Sequence, residues 1–397
     1  MGGRYYSYFN TVILLVKSYD GSMPLVHFLK HYFAQYKKHG SKDRKFISHL
    51  FYCYYRLGHS INTISIEERI RLSLFLCNDE VGEWSILFND LWLANWATNR
   101  TERIAFAQQQ VMDFVPEKIF PWQDELSDDI DANRFSLAHL VQPNLFLRIR
   151  PGHEKTVIQR LRNTDISFQK ITANSLALVN GTKLDGILYI NEEAVVQDLS
   201  SQAIANFITP ELVQLNWEEQ WSFWDCCVAS GGKTILLHDV HANNDWYLSD
   251  VRESMLHQLK PRLHAAHIRN WKFDVLDLTK QNTSFQNSPS FDFIIADVPC
   301  TGSGTWARTP EQIENFTINS IQEFALRQKM IVANIIPQLK KDGYLLYITC
   351  SVFKKENEEV VAFIKEKFQL IVIKMEVLKG YNNKADTMFG ALLRKLN

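Results

Sequence analysis

Two cysteines close hydrophobic runs in the C-terminal half of the chain, in Asp297-Val298-Pro299-Cys300 and in Thr349-Cys350-Ser351. The segments before them, Phe291 to Ala296 and Tyr344 to Ile348, read as buried strands. A glycine turn, Asp225 to Thr234, precedes both. In a doubly wound α/β sheet the carboxyl ends of the strands form the ligand crevice, so both thiols would face one pocket beside one cofactor. A thiol there suits a carbon nucleophile that needs activation. Carbon 5 of a pyrimidine is unreactive until a thiolate adds at carbon 6, and the resulting enamine can attack a methyl donor. A base must then remove the proton at carbon 5 and the enzyme thiol must leave, so covalent catalysis divides one hard step into easier ones. A free thiol of pKa ~8.5 is mostly protonated at neutral pH, so the site must activate it. A single free cysteine is ordinarily a small buried hydrophobe; two at strand ends point elsewhere. Spacing leaves open which thiol attacks.

The turn Asp225-Cys226-Cys227-Val228-Ala229-Ser230-Gly231-Gly232-Lys233-Thr234 joins a strand to a helix. Gly231 and Gly232 allow a tight turn and close backbone approach, and the helix start offers free N–H groups. It is not a P-loop, which needs glycine where Cys227 stands, and it holds no G-x-G-x-x-G. Asp250 ends the second strand of this region, where an acid commonly accepts hydrogen bonds from ribose hydroxyls. Asp274 follows the third strand, within reach of an adenine edge. With Asp225 these acids outline a nucleoside pocket.

The elements that must position these groups follow a strand–turn–helix rhythm from about Val196. Strands are expected at Trp221 to Cys226, Trp246 to Ser249, Asn270 to Phe273, Phe291 to Ala296 and Tyr344 to Ile348, with a helix from Ile318 to Leu339. This alternation predicts a parallel sheet with right-handed crossovers. Upstream, Leu145 to Arg150 alternates like a strand, Glu154 to Leu161 is helical, and short strands are expected at Leu176 to Val179 and Ile187 to Ile190. Together they make a small mixed α/β module. Gln123 to Asn133 is polar and acidic, like a linker.

The first third reads as helical. Leu25, Phe28, Leu29, Tyr32, Phe33 and Tyr36 share one face, with Gly40 as a stop; Phe46, Ile47, Leu50, Phe51 and Tyr54 repeat the pattern. Ser65-Ile66-Glu67-Glu68 is a capping box. The regular spacing of the aromatics favours core packing over a base-stacking surface.

At 397 residues the chain should hold two or three domains. A net charge of -1 gives no global argument for nucleic acid. Basic residues still cluster, at Lys30, Lys37, Lys38, Lys42, Arg44 and Lys45 and at Arg148, Arg150, Lys155, Arg160 and Arg162, as solvated faces or phosphate contacts. The six cysteines lack a C-x-x-C pair, against both zinc and a disulfide framework. No run approaches the ~20 apolar residues of a membrane span. The reading is a soluble, cytoplasmic protein with reduced thiols and no metal.

These motifs together resemble the Sun/Fmu-type (Nop/Sun) cytosine-5 RNA methyltransferases, which use S-adenosylmethionine. Val196-Gln197-Asp198-Leu199-Ser200-Ser201-Gln202 is similar to the family's entry to the catalytic domain, and Asp225 to Thr234 to its cofactor loop. Asp297 to Gly304 and Tyr347 to Val352 are similar to its two cysteine motifs; Glu356-Asn357-Glu358 and Asp386-Thr387-Met388-Phe389 also fit. The resemblance covers most of the chain and implies an α/β fold, with a Rossmann-like class I methyltransferase domain at 196–397. It further implies an all-helical NusB-like RNA-binding domain at 1–135, marked by Asp43-Arg44-Lys45-Phe46-Ile47, and a small α/β RRM-like insert at 136–195. It makes Cys350 the nucleophile and Cys300 the group that assists release, with Asp297 and Lys233 near the target base. Cofactor binding would fall to Cys227, Val228, Ala229, Ser230, Gly231, Gly232, Lys233, Asp250, Arg252, Asp274 and Asp297. The implied partner is RNA, small-subunit (16S) rRNA first, met by a monomer. Val228 and Ser230 depart from the family's Ala and Pro; Ser230 removes a φ constraint. The rival readings are a non-catalytic RNA-binding or ribosome-assembly factor that keeps the fold, and methylation of DNA or a small molecule.

Overall fold

A computed structural model describes residues 3–97, 99–280 and 290–396. They group into two compact units, each assembled from separate stretches of chain. The first holds the residues up to Asp124 with Asp131–Gln142 and Trp306–Thr317; the second holds Glu125–Ile130, Pro143–Thr305 and the chain from Ile318 onward.

The first unit is helical: α1 (Arg4–Ser18), α2 (Leu25–Gln35), α3 (Ser41–Arg56), α4 (Ile66–Cys77), α5 (Asp90–Ala94), α6 (Arg100–Gln110) and α7 (Ala132–Ala138). Its helical-period apolar residues do form core, with Leu29, Phe33, Ile47, Leu50, Phe51, Ile70 and Leu74 buried together. Ser65 caps α4, donating its N–H to Glu68 at 2.9 Å while its hydroxyl oxygen accepts the Glu68 N–H. Gly40 does not stop α2, which ends at Gln35; it is the N-cap of α3, where its N–H meets the Asp43 carboxylate at 2.8 Å. The Trp306–Thr317 stretch is bound in by buried polar contacts. Arg56 donates to the carbonyls of His139 and Ala307, and Arg69 pairs with Glu314 at 2.6 Å.

The second unit opens with β1 (Leu145–Ile149), α8 (Glu154–Arg162), β2 (Phe168–Lys170), β3 (Ser175–Leu178) and β4 (Ala194–Val196), an antiparallel sheet in the order β2-β3-β1-β4. The strand expected at Ile187 to Ile190 is a turn instead. Its amides at 187 and 188 return to the Leu184 carbonyl, Leu184 and Leu188 fill the core together, and left-handed residues, Gly186 and Asn191, bound it.

After α9 (Leu199–Ala203) come β5 (Trp221–Asp225), α10 (Gly232–Val240), β6 (Asn244–Asp250), α11 (Met255–Ala265), β7 (Trp271–Val275) and β8 (Phe291–Asp297). Then follow α12 (Glu311–Asn315, in the first unit), α13 (Asn319–Ile335), β9 (Leu339–Thr349), α14 (Glu358–Phe368), β10 (Leu370–Leu378) and β11 (Met388–Lys395). The sheet order is β10-β11-β9-β8-β5-β6-β7. From β7 to β9 the neighbours are parallel, as expected; β11 enters antiparallel to both β9 and β10. Parallel pairing needs a long crossover, and the short connection between β10 and β11 permits only a hairpin. β8 and β9 are near-continuous buried runs, as strands covered on both faces must be. The chain runs outward from β5 to one edge, then returns to β8 and builds the other side. The strand order therefore reverses between β5 and β8, which opens a crevice at their carboxyl ends. Among the described residues no helix is long and apolar enough to cross a membrane.

Candidate active site at the strand ends

Asp225 ends β5, and the chain beyond it stays tied to both neighbours of that strand. The Cys226 N–H reaches the Ile295 carbonyl at 3.0 Å and the Val228 N–H reaches that of Ser249 at 2.9 Å. The turn then uses left-handed backbone twice, at Ala229 (φ 46°) and Gly231 (φ 80°). A Cβ on Gly231 would stand 2.5 Å from Leu259 Cδ1, so glycine is required there on two counts. At Gly232, where α10 begins, a Cβ would meet open space. The Asp250 carboxylate holds the turn from β6: Oδ2 accepts the Ala229 N–H at 3.0 Å, and Oδ1 accepts the Arg252 N–H at 2.9 Å and its Nε at 3.1 Å. Ser230, at the position of the family's proline, takes Arg262 Nη1 on its carbonyl at 2.8 Å and its hydroxyl at 2.6 Å. That guanidinium replaces the lost φ constraint with two hydrogen bonds.

Below the turn lies a cavity of about 330 Å³. Asp225 contributes a buried carboxylate to it. Thr234 donates to Oδ2 at 2.7 Å, while Oδ1 has no hydrogen-bond partner. Burial pushes this carboxyl up to about 7, against the Thr234 hydrogen bond and the Lys233 charge, which favour ionisation. Across the cavity Lys233 Nζ meets Asp297 Oδ2 at 3.0 Å.

The cysteines converge beside this pair. Asp297 and Ile348 are register partners on β8 and β9, and the Val298 N–H continues the ladder to the Ile348 carbonyl at 3.1 Å. Cys300 Sγ and Cys350 Sγ lie 3.2 Å apart. The Cys350 carbonyl accepts the Gly304 N–H at 2.9 Å, and the Gly304 carbonyl accepts that of Thr387 at 2.8 Å. A Cβ on Gly304 would fall 1.9 Å from the Thr387 oxygen, so only glycine lets these loops meet. The hydrogen bond to the Cys350 thiol raises the Cys300 pKa well above the usual thiol value, with burial and the Glu356 charge adding to it. Cys300 is thereby held as a neutral S–H at neutral pH.

Residues 212–393 match the family described as 16S rRNA methyltransferase RsmB/F. This stretch of the chain is similar to the RsmB/F methyltransferases. A probable ribosomal RNA small subunit methyltransferase B of Bacillus subtilis is 26% identical over 241 residues, 59% of this chain and 52% of that protein. The ribosomal RNA small subunit methyltransferase F of Psychromonas ingrahamii is 29% identical over 189 residues, 47% of this chain and 36% of that protein. The chain thus spans about half, or less, of the curated relatives it matches. Among solved structures, PH0851 shares the fold at a TM-score of 0.66 and 17% identity, covering 97% of each chain. The NSun6 of Pyrococcus horikoshii, solved with SFG, shares it at 0.59 and 15% identity, covering 71% of this chain and 98% of that one.

In this matched stretch the cavity is lined by Cys227, Val228, Ala229, Ser230, Gly232, Lys233, Asp297 and Cys350. Cys300 adjoins it through Cys350. Gly231, Asp250 and Arg252 stand outside the lining, shaping the turn. Asp274 is not brought to the cavity: it lies within β7 rather than after it, is exposed, and accepts the Tyr247 hydroxyl at 2.6 Å. Site assignment from the motifs passed over Asp198, Ser201, Arg262, Thr305, Asp386 and Met388, which also line the cavity. Asp198 and Ser201 stood in a quoted motif with no role attached. Arg262 carries no local signal; it arrives from the last turn of α11.

S-adenosylmethionine is the cofactor of this domain, and the residues present fit it. The partnerless Asp225 oxygen suits a cationic methionine tail, and the open space over Gly232 admits a ligand to the amides of α10. Among the described residues no cluster of three or more His, Cys, Asp or Glu is arranged to hold a metal ion.

Proposed function

We propose that the chain is an RNA cytosine-5 methyltransferase acting on small-subunit (16S) rRNA, with Cys350 as nucleophile and Cys300 as the group that assists release. The observation that carries this reading is the pair of thiols 3.2 Å apart at the mouth of the cofactor cavity. Cys350 lines the cavity and Cys300 adjoins it through that sulfur, which favours Cys350 as the one to add at carbon 6 of the base. The cofactor supplies an electrophilic methyl group. Asp297, held by Lys233, offers a carboxylate to the polar edge of the cytosine, and the same contact fixes the ring over Cys350. Once carbon 5 carries the methyl group, a base must take its proton, the C5–H electron pair must form the C5–C6 double bond, and the C6–S pair must leave with the Cys350 sulfur as thiolate. Cys300 stands beside that sulfur to assist this departure.

The cofactor contacts are proposed at Cys227, Val228, Ala229, Ser230, Gly231, Gly232 and Lys233, with Asp250 and Arg252 behind the turn. For RNA, the helices of 1–135 are read as NusB-like. Their Lys30, Lys37, Lys38, Lys42, Arg44 and Lys45 are all exposed, as a phosphate-facing patch must be. The second basic cluster is different in kind: Arg148 and Arg150 are buried against Asp239. The 136–195 module is read as RRM-like on its order β4-β1-β3-β2 with a helix after β1. Its Phe146 packs with Ala177, Ala385 and Leu199 rather than offering a ring to a base, so this module would not stack bases through β1.

A tritiated methyl-donor assay on unmodified rRNA tests the proposal. Cys350→Ala should abolish transfer, and Cys300→Ala should accumulate a covalent protein–RNA adduct on denaturing gels. Turnover by Cys350→Ala would refute the assigned mechanism; no incorporation by the unaltered protein would favour a non-catalytic assembly factor.

A further inference from the structure

Glu356 lies six residues beyond Cys350 and is fully buried, yet its partners are neutral donors. Oε1 accepts the hydroxyls of Thr301 at 2.6 Å and Ser351 at 2.5 Å; Oε2 accepts the Thr301 N–H at 2.9 Å and Gln328 Nε2 at 3.0 Å. Thr301 follows Cys300 and Ser351 follows Cys350, so one carboxylate grips the chain immediately after each thiol. Two side bonds reinforce the grip: the Thr301 and Ser351 hydroxyls both lie 3.2 Å or less from Ser303 Oγ, whose oxygen also accepts the Val352 N–H at 2.9 Å. The Glu356 carbonyl accepts the Tyr347 hydroxyl at 2.6 Å, tying the residue back to β9. Gln328 adds α13 to the junction.

A buried carboxylate without a cation is costly, and a polar residue of similar shape could fill the space with less penalty. Its acceptor capacity is used geometrically. Its two oxygens take two donors each, and the Thr301 and Ser351 hydroxyls meet on the same oxygen. We propose that Glu356 is a positioning residue for the cysteine pair: its carboxylate latches the Cys300 loop to the Cys350 loop and sets the sulfur–sulfur separation. The inference rests on the division of labour proposed above. An attacking thiol and a releasing thiol must serve the two ends of one covalent step without reorganising between them, and reacting groups lose efficiency steeply with ~1 Å of displacement. Glu356 is not among the residues that line the cofactor cavity.

The latch can be read without methyl transfer. Equilibrated with glutathione and its disulfide, the Cys300 and Cys350 thiols give up two protons and two electrons; their S–S bond forms as that of glutathione disulfide breaks, yielding two glutathione thiols. The equilibrium constant, followed by peptide mapping of the Cys300–Cys350 crosslink, measures how well the loops hold the sulfurs together. Glu356→Ala should lower it on the order of tenfold or more, with Glu356→Gln, which keeps the shape and loses the charge, in between. In the rRNA assay kcat should fall roughly tenfold to a hundredfold while the RNA KM and the S-adenosylmethionine Kd stay unchanged. Unaltered thiol equilibria in both variants would overturn the proposal, as would a loss that comes only together with cofactor binding. If the unaltered protein transferred no methyl group, the functional reading would fail while the thiol equilibria still decided the latch.

Discussion

Asp225→Asn should separate stability from cofactor binding in a pH-dependent way. The Asp225 carboxyl is pushed up to about 7 from an ordinary 3.8, chiefly by burial. A carboxyl with a raised folded pKa holds its proton in the folded state while the unfolded chain has lost it. Its penalty is therefore absent below about 3.8, grows as pH rises from there to about 7, and is constant above. A displacement of about three pH units at ~1.36 kcal/mol each sets a ceiling of about 4 kcal/mol. Asparagine stays neutral. Its oxygen can still accept the Thr234 hydroxyl, and its amide inherits the place of the partnerless Oδ1 at about 1–3 kcal/mol. The variant should then be stabler than the parent at pH 8 by roughly 1–3 kcal/mol, and equal to it or weaker at pH 5. Urea titrations of both proteins at the two pH values measure the difference. A variant that is less stable at pH 8, or one whose offset from the parent is the same at both pH values, would refute the reasoning. Cofactor affinity should nonetheless drop in the variant, because the partnerless oxygen no longer carries charge.

Two further substitutions probe the scaffold. Asp239→Ala would strand Arg148 and Arg150, whose guanidinium groups meet Asp239 at 2.5 and 2.7 Å in a buried cluster; a loss of about 3–5 kcal/mol is expected in denaturant titrations. Gly304→Ala would force the Thr387 carbonyl away from a Cβ 1.9 Å distant; it should lower the melting temperature and weaken crosslinking between Cys300 and Cys350, whose carbonyl takes the Gly304 N–H.

The catalytic sheet was readable because each parallel strand is a short apolar run ending in a polar or cysteine residue, as in Phe291–Asp297. Those ends are where the crevice must lie, so Asp225, Asp297 and Cys350 could be placed together before any coordinates. Arg262 could not. It reaches the cavity through tertiary packing, and nothing adjacent in sequence marks it. Ile187 to Ile190 misled because a four-residue apolar run suits a strand or a turn equally; the left-handed residues at 186 and 191 decided for the turn. Asp274 shows the converse: its strand was anticipated, but its exposed position and its bond to Tyr247 depend on β7 being the sheet's edge. The β10–β11 hairpin was not anticipated, because the last strand expected from the sequence was Tyr344 to Ile348.

The interleaving of the two compact units bears on how the chain can be made. The helical unit needs Trp306–Thr317, which ribosomes deliver about 175 residues after Gln142, the end of its preceding stretch. At ~5–20 residues per second that is a wait on the order of ten to thirty-five seconds. Domains ordinarily mature amino end first as they are synthesised, but here Arg56 and Arg69 have their Ala307 and Glu314 partners only after β8 and Cys300 have been translated. The nascent helices must stay soluble through that interval with one partner of each of two buried guanidinium groups still missing. A release from the ribosome before residue 317 would leave neither unit finished, and chaperone demand should peak in that window rather than at termination.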